Sequence, residues 1–436
     1  MTRVILVRHG QSTWNEQGLI QGRKDESILT AKGIEQALSV ARVLKNVSID
    51  QCFSSPLQRA RATANAIVEF HSQEPKFLDS LCEINLTSWE GLAHQAVRDE
   101  QPEAHAQWHH HPENFELDGR LPIVELWQQA QQAWDAIFAY AQELPERAGR
   151  KTLLIVAHNA INQALLCTAL GLPPHAFRRF QQDNAGISVL SIPEHGPVVL
   201  ESMNQTAHNG QPFPRRKEKG GRILLIRHGE TDWNRAERFQ GQIDIPLNAQ
   251  GLAQAEKAGE FLKNTKLDLA FSSPLSRPLE TCKAVLAHHG AIPLTLVDDL
   301  QEISHGLWEG KLKAEIEAQF PGALEQWTQT PEVVQMPEGE NLQQVWERSL
   351  RAWQELVEKT GDRTALVAAH DAINKAIVAG VLGLPPDSFW TFKQGNGAVT
   401  VFDYPDGPQG KPVLAAVNLT THLGEGIFDC TAAGAL

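Results

Sequence analysis

The chain repeats itself over a long period, and this duplication constrains its fold more than any other feature of the sequence. Residues 4–15 (VILVRHGQSTWN) recur as residues 223–234 (ILLIRHGETDWN), and residues 54–59 (SSPLQR) recur as residues 272–277 (SSPLSR). Solenoid units run about 20 to 50 residues, whereas this period is on the order of 200 residues. The sequence therefore predicts two similar domains rather than a solenoid.

The repeated blocks keep the same order in both copies. A Glu-Ile pair precedes a Trp-Glu-Gly block in each, beginning at Glu83 in the first copy and at Glu302 in the second. Further along, residues 156–162 (VAHNAIN) match residues 368–374 (AAHDAIN). Because the order of the blocks is preserved, each copy is expected to fold as one complete domain.

A stretch rich in proline, glycine and charge separates the two copies, as is typical of a solvated linker. We predict a first domain over residues 1–208, a linker over residues 209–221 and a second domain over residues 222–436. These two domains are called the first copy and the second copy below.

Each copy alternates strand-like and helix-like segments. Short runs of β-branched residues and leucine, typical of buried parallel strands, occupy residues 4–7, 153–157, 223–226 and 365–369. The strand-like runs at residues 153–157 and 365–369 each precede a helical segment, at residues 160–170 and 372–382. This alternation predicts an α/β fold: two tandem three-layer α/β/α domains, each with a mostly parallel central sheet.

Two further helices carry more detailed predictions. Thr30 can cap a helix with Ile34, Leu38, Ala41 and Leu44 on one face, on the basis of their helical spacing. The Ser55-Pro56 pair matches an N-cap followed by the first helical position, which puts Arg59 about one turn inside the next helix.

Composition excludes several functional classes. The formal net charge of -13 argues against a nucleic-acid or membrane-surface partner. No apolar run approaches the ~18 residues of a membrane span, and the N-terminus is too short for a signal peptide. The five cysteines form no C-x-x-C pair, which predicts reduced thiols, a cytoplasmic protein, and neither disulfides nor structural zinc. The run of histidines at 109–111 is interpreted as a solvated helix end rather than a metal site.

The residues that carry chemistry follow the predicted strands. In parallel sheets the ligand crevice lies beyond the carboxyl ends of the strands, which is where Arg8, His9 and His158 are placed. The helix that starts after His158 adds backbone N–H groups that favour an anion. Arg59, near the start of its own helix, can point to the same place. The sequence therefore predicts a phosphate site without a metal or cofactor.

The same residues suggest a reaction. A histidine nucleophile can take a phosphoryl group and pass it to water, and His9 fits this role. Arginine forks match phosphate oxygens and stabilise the charge on the transferring group. The cationic neighbours should keep His9 neutral, and Glu83 is the best candidate for protonating the leaving group and later activating water.

With these motifs in both copies, the sequence resembles the histidine phosphatase superfamily, also called the phosphoglycerate mutase-like family. The resemblance implies a phosphorylated histidine at His9 and a proton donor at Glu83. It assigns catalytic positions to Arg8, His9, Arg59, Glu83 and His158 in the first copy, and to Arg227, His228, Arg277, Glu302 and His370 in the second. It assigns substrate contacts to Asn15, Gln21, Gly22, Asn159, Asn234, Gln240, Gly241 and Asp371.

The resemblance also implies a substrate class, a small anionic phosphorylated sugar or sugar acid. The first copy is similar to plant 2-carboxyarabinitol 1-phosphate phosphatases and their tandem cyanobacterial relatives, and the second to α-ribazole phosphatases. A phosphoglycerate mutase remains an alternative, and a phosphosugar-binding protein without turnover is a remote one. The sequence does not indicate an oligomeric state.

The two copies differ beside the site. Arg23-Lys24 in the first copy corresponds to Gln242-Ile243 in the second, which suggests that active copies would prefer different substrates. The second copy also carries the P-x-G-E block at residues 337–340, which the first lacks.

Overall fold

The computed structural model describes residues 1–144, 149–216, 219–424 and 426–431. Two compact units make up the chain, one of Met1–Val198 with Met203–Gln211 and the other of Val199–Ser202 with Pro212–Leu436. Of the predicted linker, residues 217 and 218 lie outside the described residues. Within the described ranges, no helix combines the length and the apolar composition that a membrane-spanning segment needs.

The first copy is built on a mostly parallel sheet. Its strands are β1 (Thr2–Arg8), β2 (Gln51–Ser54), β3 (Lys76–Phe77), β4 (Lys151–Ala157), β5 (Ile187–Ile192) and β6 (Val199–Gln205). The order β3-β2-β4-β1-β5 is parallel up to β1, and β5 pairs with β1 in the antiparallel sense. The central strand β1 is apolar and fully buried over residues 4–7, as a strand covered on both faces should be.

Helices connect these strands. They are α1 (Thr13–Gln17), α2 (Ala31–Leu44), α3 (Gln58–Val68), α4 (His94–Glu100), α5 (Pro102–His110), α6 (Pro122–Glu143) and α7 (Asn159–Ala169). Helix α2 packs on α3, and α6 packs on α7. Helix α7 begins directly after His158, so its N-terminus lies at the carboxyl end of β4.

The second copy has the same plan. Its strands are β7 (Gly221–Arg227), β8 (Leu269–Ser272), β9 (Leu294–Leu296), β10 (Thr364–Ala369), β11 (Val399–Tyr404) and β12 (Val413–Leu419). Their order is β9-β8-β10-β7-β11-β12, parallel up to β7 and antiparallel beyond it. The helices are α8 (Asp232–Arg235), α9 (Ala249–Leu262), α10 (Ser276–Leu286), α11 (Lys313–Gln319), α12 (Ala323–Gln329), α13 (Leu342–Thr360) and α14 (Asp371–Val381). The predicted α/β class with mostly parallel sheets is confirmed.

Of two local predictions, one was half right and the other was wrong. Thr30 does cap α2, and Ala41 and Leu44 of the predicted face are buried, but Ile34 and Leu38 are exposed, because the packed face runs through Ala37 instead. Small alanines on that face permit close packing, a feature that hydrophobic periodicity alone underweights.

Ser55 is not the N-cap of the next helix. Helix α3 begins at Gln58, with Leu57 as the residue before it and no side-chain cap. Arg59 is therefore the second helical residue rather than one turn inside, and Ser55 has another partner.

Candidate active site

Parallel strand ends bring the two histidines of the first copy together. Strands β1 and β4 are neighbours in register, with Arg8 opposite Ala157, so the residues that follow emerge side by side. The rings of His9 and His158 meet edge to face with centroids 5.1 Å apart, and both side chains are buried. The predicted convergence at the carboxyl ends of the strands is present.

The hydrogen bonding of His9 selects its reactive atom. Its Nδ1 lies 2.7 Å from the carbonyl oxygen of Gly10, which can only accept, so Nδ1 carries the hydrogen. In the neutral ring the lone pair is then on Nε2. Burial, and then the charges of Arg59 and Arg8, hold the His9 pKa well below 6.5. His9 is thus a neutral imidazole with a nucleophilic Nε2.

His158 is oriented by a buried serine. Its Nε2 lies 2.8 Å from the hydroxyl oxygen of Ser55, and that oxygen accepts the backbone N–H of Leu57. The Ser55 hydroxyl has two acceptors in reach, Cys82 Sγ at 3.9 Å and the much closer His158 Nε2, and when it donates to Nε2 the His158 hydrogen is on Nδ1. Within the described residues Nδ1 has no hydrogen-bond partner, although it is buried. The serine therefore presents a ring N–H that a ligand can use.

Two arginines are anchored by main-chain carbonyl oxygens. Arg8 donates to Gln182 O at 2.8 Å, while Arg59 donates to Gly22 O at 2.9 Å and to Lys24 O at 3.3 Å. The Nε group of each arginine is buried and has no partner in the part of the chain that the structure describes. A carbonyl oxygen holds a guanidinium in position without neutralising its charge, so both arginines stay positively charged and can bind an anion.

Glu83 occupies the N-terminus of α7. Its carboxylate accepts the N–H groups of Ala160 at 3.0 Å and Ile161 at 3.1 Å, together with that of Ile84 at 2.9 Å. A carboxylate is well placed at this positive end of a helix. The sequence predicted that these helix N–H groups favour an anion; those of Ala160 and Ile161 bind the Glu83 carboxylate, and a phosphate contact at Asn159 stays a prediction.

The second copy repeats the arrangement of the histidines, the serine and the arginines. The His228 and His370 ring centroids are 5.2 Å apart, His228 Nδ1 donates to Gly229 O at 2.7 Å, and His370 Nε2 lies 2.9 Å from Ser273 Oγ. The same three buried groups lack partners within the described ranges, namely Arg227 Nε, Arg277 Nε and His370 Nδ1.

Glu302 differs from Glu83 in its charged surroundings. Its carboxylate accepts the N–H groups of Asp371 at 3.1 Å and Ala372 at 3.2 Å. Burial and the neighbouring charge of Asp371 raise the Glu302 pKa. Asp371 itself pairs with Lys375 at 2.8 Å and lies 3.7 Å from Arg227.

The first copy has a neutral pair in place of those charges. Asn159 corresponds to Asp371, and its Oδ1 accepts from Gln163 at 3.3 Å. The second site thus carries a buried carboxylate and ammonium where the first carries two amides.

A second exchange lies behind the two glutamates. In the first copy Arg23 donates to Glu83 O at 3.2 Å and to Gln129 Oε1 at 2.6 Å. In the second copy Gln242 donates to Glu302 O at 3.1 Å, and Arg348 donates to the same oxygen at 3.0 Å. Where one copy has the arginine the other has the glutamine, and the reverse. In each copy one guanidinium therefore donates to the main-chain carbonyl oxygen of the glutamate.

The predicted substrate contacts of the first loop have protein partners. Asn15 Oδ1 accepts from Asn184 Nδ2 at 3.0 Å, and Gln21 Oε1 accepts from the Ser12 hydroxyl at 2.8 Å. Gly22 acts through its carbonyl oxygen, which holds Arg59. In the second copy Asn234 Oδ1 accepts from Asn396 Nδ2, Gln240 Nε2 donates to the Thr231 hydroxyl, and Gly241 O accepts from Arg277. These residues frame the site, and whether they also touch substrate stays a prediction.

A family model described as histidine phosphatase superfamily (branch 1) matches residues 4–206 and again residues 223–419. The chain belongs to the histidine phosphatase superfamily. Both copies are covered by the match, so the duplication predicted from the repeat is a duplication of one histidine phosphatase domain.

Curated relatives of this histidine phosphatase include two that the chain matches over most of their length. A probable 2-carboxy-D-arabinitol-1-phosphatase of Arabidopsis thaliana is 34% identical over 97% of this chain and 88% of its own. A 2-carboxy-D-arabinitol-1-phosphatase of Triticum aestivum is also 34% identical, over 97% of this chain and 86% of its own. Among solved structures, Bacillus stearothermophilus YhfR is 30% identical over 47% of this chain and 100% of that chain, with a TM-score of 0.45.

Sequence reasoning missed several residues that support this histidine phosphatase site. Ser55 was assigned to a cap, yet it bonds to His158. Thr63 accepts the Gly10 N–H at 3.1 Å, and Asn184 donates to His9 O at 3.1 Å. The repeat was the available signal, because the counterparts Ser273, Thr281 and Asn396 are all retained in the second copy.

Proposed function

We propose that this histidine phosphatase hydrolyses small phosphorylated sugars or sugar acids in the cytoplasm, through a phosphohistidine formed at His9 and at His228. The specific substrate proposed is 2-carboxy-D-arabinitol 1-phosphate or a related sugar phosphate. Two relatives whose names state that activity match 97% of the chain, which includes both copies. This match supports the proposed substrate over the substrates of relatives that have a single domain.

One observation carries the proposal. In the first copy three buried groups, Arg8 Nε, Arg59 Nε and His158 Nδ1, lack partners in the described part of the chain, and all three belong to residues around the His9 ring. Burying such groups without a partner is costly, so a stable arrangement of this kind indicates a ligand that accepts hydrogen bonds. A phosphoryl group offers oxygens to all three while its phosphorus faces Nε2.

The first half of the reaction transfers the phosphoryl group to His9. The Nε2 lone pair attacks phosphorus, and the bond from phosphorus to the ester oxygen breaks. Arg8, Arg59 and His158 stabilise the charge on the equatorial oxygens. The carboxyl group of Glu83, when protonated, gives its proton to the leaving oxygen, so that the alcohol departs neutral.

The second half returns the enzyme to its starting state. The Glu83 carboxylate takes a proton from water while the water oxygen attacks the phosphoryl group. The P–N bond breaks, its electron pair returns to Nε2, and inorganic phosphate leaves. The second copy would use His228 and Glu302 in the same way, with burial and then the charge of Asp371 raising the Glu302 pKa and so favouring its protonated form.

Phosphate release tests the proposal. We would compare wild type, His9→Ala, His228→Ala and the double variant on 2-carboxyarabinitol 1-phosphate, other sugar phosphates and phosphoglycerates. Each single variant should keep the turnover of the other copy, and the double variant should have none. His175→Ala, which removes an exposed histidine, is the matched control and should behave as wild type.

Three outcomes would count against the proposal. Turnover that survives the double substitution would show that neither histidine is the nucleophile. Interconversion of 2- and 3-phosphoglycerate without free phosphate would favour the mutase. Binding of the sugar phosphates without turnover would favour the non-catalytic alternative.

A further inference from the structure

The loop between α14 and β11 braces the nucleophile of the second copy. Gln394 O accepts from the Arg227 guanidinium at 2.5 Å, and Asn396 Nδ2 donates to His228 O at 3.2 Å. The first copy has the same brace, in which Gln182 O holds Arg8 and Asn184 holds His9 O. In both copies the position of this loop therefore sets the position of the catalytic arginine and histidine.

In the first copy, the corresponding loop is held in place by a carboxylate that belongs to the loop itself. Asp183 lies between Gln182 and Asn184, and its Oδ1 accepts from Gln181 Nε2 at 3.0 Å. Its backbone N–H donates to Asn204 Oδ1 at 2.9 Å. Burial lowers the pKa of Arg8, and the nearby charge of Asp183 offsets part of that decrease.

The second copy has no side chain at this position. Gly395 replaces Asp183, although its backbone N–H still donates to the corresponding asparagine, Asn418 Oδ1, at 2.7 Å. A Cβ atom placed on Gly395 would lie 2.6 Å from Asp429 Oδ2 and 2.8 Å from Thr431 Oγ1. The space of the missing side chain is thus filled by residues 429–431, called the strap below.

The strap contacts the loop through specific polar groups. Asp429 Oδ2 lies 3.2 Å from Lys393 Nζ, and Lys393 stands at the position of Gln181 in the first copy. Asp429 Oδ1 accepts from the Thr431 backbone N–H at 2.9 Å and from its hydroxyl at 2.7 Å. Thr431 Oγ1 in turn accepts the Asn396 N–H at 3.1 Å. The Asp429 side chain is only 2% exposed.

We propose that Asp429 is a positioning residue of the second active site, supplying from the C-terminal strap the carboxylate that Asp183 supplies within the loop of the first. The strap holds the loop, and the loop holds Arg227 and His228. Asp429 acts through these residues and touches neither the phosphoryl group nor the leaving group. This inference rests on the proposed catalysis by the second copy.

A double-mutant cycle at Gly395 and Asp429 tests it, carried out in the full-length His9→Ala chain so that only the second copy turns over. Asp429→Ala should lower kcat about tenfold and raise KM, because Arg227 is less well held. Gly395→Asp alone should also lower kcat, since the new carboxylate meets the strap. The double variant should recover to within about threefold of the parent, because the carboxylate returns from the loop as in the first copy.

Hydrogen exchange of the peptide spanning residues 393–399 gives a readout that does not depend on turnover. Asp429→Ala should speed exchange there, and the double variant should slow it again. In the His228→Ala chain, Asp429→Ala should leave the first copy unchanged, whereas Asp183→Ala should impair it.

The outcomes separate the two proposals. If the His9→Ala chain has no turnover but exchange follows the cycle, the strap is supported and catalysis by the second copy is overturned. Unchanged exchange in Asp429→Ala, or a double variant as impaired as the single ones, would overturn the role of Asp429.

Discussion

Ser55 provides a sharp test of how the site is built, because it is buried and its hydroxyl bonds to His158 Nε2 at 2.8 Å. In Ser55→Ala the ring loses the group that selects its tautomer. Nε2 is then left unpaired, or takes the hydrogen and turns a bare Nδ1 toward the phosphoryl oxygens. Leaving one buried polar group unsatisfied costs about 1 to 3 kcal/mol.

The expected effect follows from that cost. A loss of about 2 kcal/mol in transition-state stabilisation corresponds to a roughly 30-fold decrease in kcat/KM, at about 1.4 kcal/mol per tenfold. The assay is phosphate release by the His228→Ala chain, in which only the first copy turns over. Overall folding should be retained, because the substitution removes a single oxygen atom.

Ser54→Ala is the matched control for this experiment. Ser54 is equally buried and donates to Ser55 O at 2.9 Å, but its hydroxyl does not bond to a catalytic ring. It should stay within about twofold of the parent chain. A Ser55→Ala chain with kcat/KM within twofold of the parent, or an equal loss in both variants, would refute the orienting role.

Two further predictions concern differences between the copies. Arg23→Gln should lower kcat of the first copy by about three- to tenfold. Adding Gln129→Arg should restore kcat, because the second copy holds the carbonyl oxygen of its glutamate with that exchanged pair of side chains. Additive losses in the phosphate-release assay would contradict this. Burial lowers the pKa of His305 to about 3 from 6.5. Below pH 6.5 the unfolded chain therefore binds a proton that the folded chain excludes, and the free energy of unfolding decreases as the pH is lowered. Between pH 6.5 and 5 the free energy of unfolding should fall by about 2 kcal/mol, and His305→Leu should remove that loss. Chemical unfolding at the two pH values measures it, and an unchanged pH dependence would contradict the assignment.

The sequence predicted the architecture because its signals were strong and local. Buried strands such as residues 4–7 read as continuous apolar runs, and the duplication supplied an independent check on each element. Knowing that ligands gather at the carboxyl ends of parallel strands was enough to place Arg8, His9 and His158 together.

What could not be predicted depends on distances between segments far apart in the chain. Nothing near Ser55 in sequence indicates that its hydroxyl meets His158, and the Ser-Pro pair instead suggests a helix cap. Nothing near Arg23 in the sequence indicates that its side chain meets Gln129, or that the second copy has the arginine and the glutamine at each other's positions. The packed face of α2 was only partly predicted, because it runs through the small residue Ala37 rather than through Ile34 and Leu38.

The central claim is that both copies act through phosphohistidine, and the direct test is to trap that intermediate. The measurement is a rapid quench in base with substrate labelled in its phosphoryl group, followed by mapping of the labelled peptides. Acid-labile label on His9 and on His228, each lost when that histidine is replaced by alanine, is the predicted result. Phosphate release without label on either histidine, or label on another residue, would contradict the account.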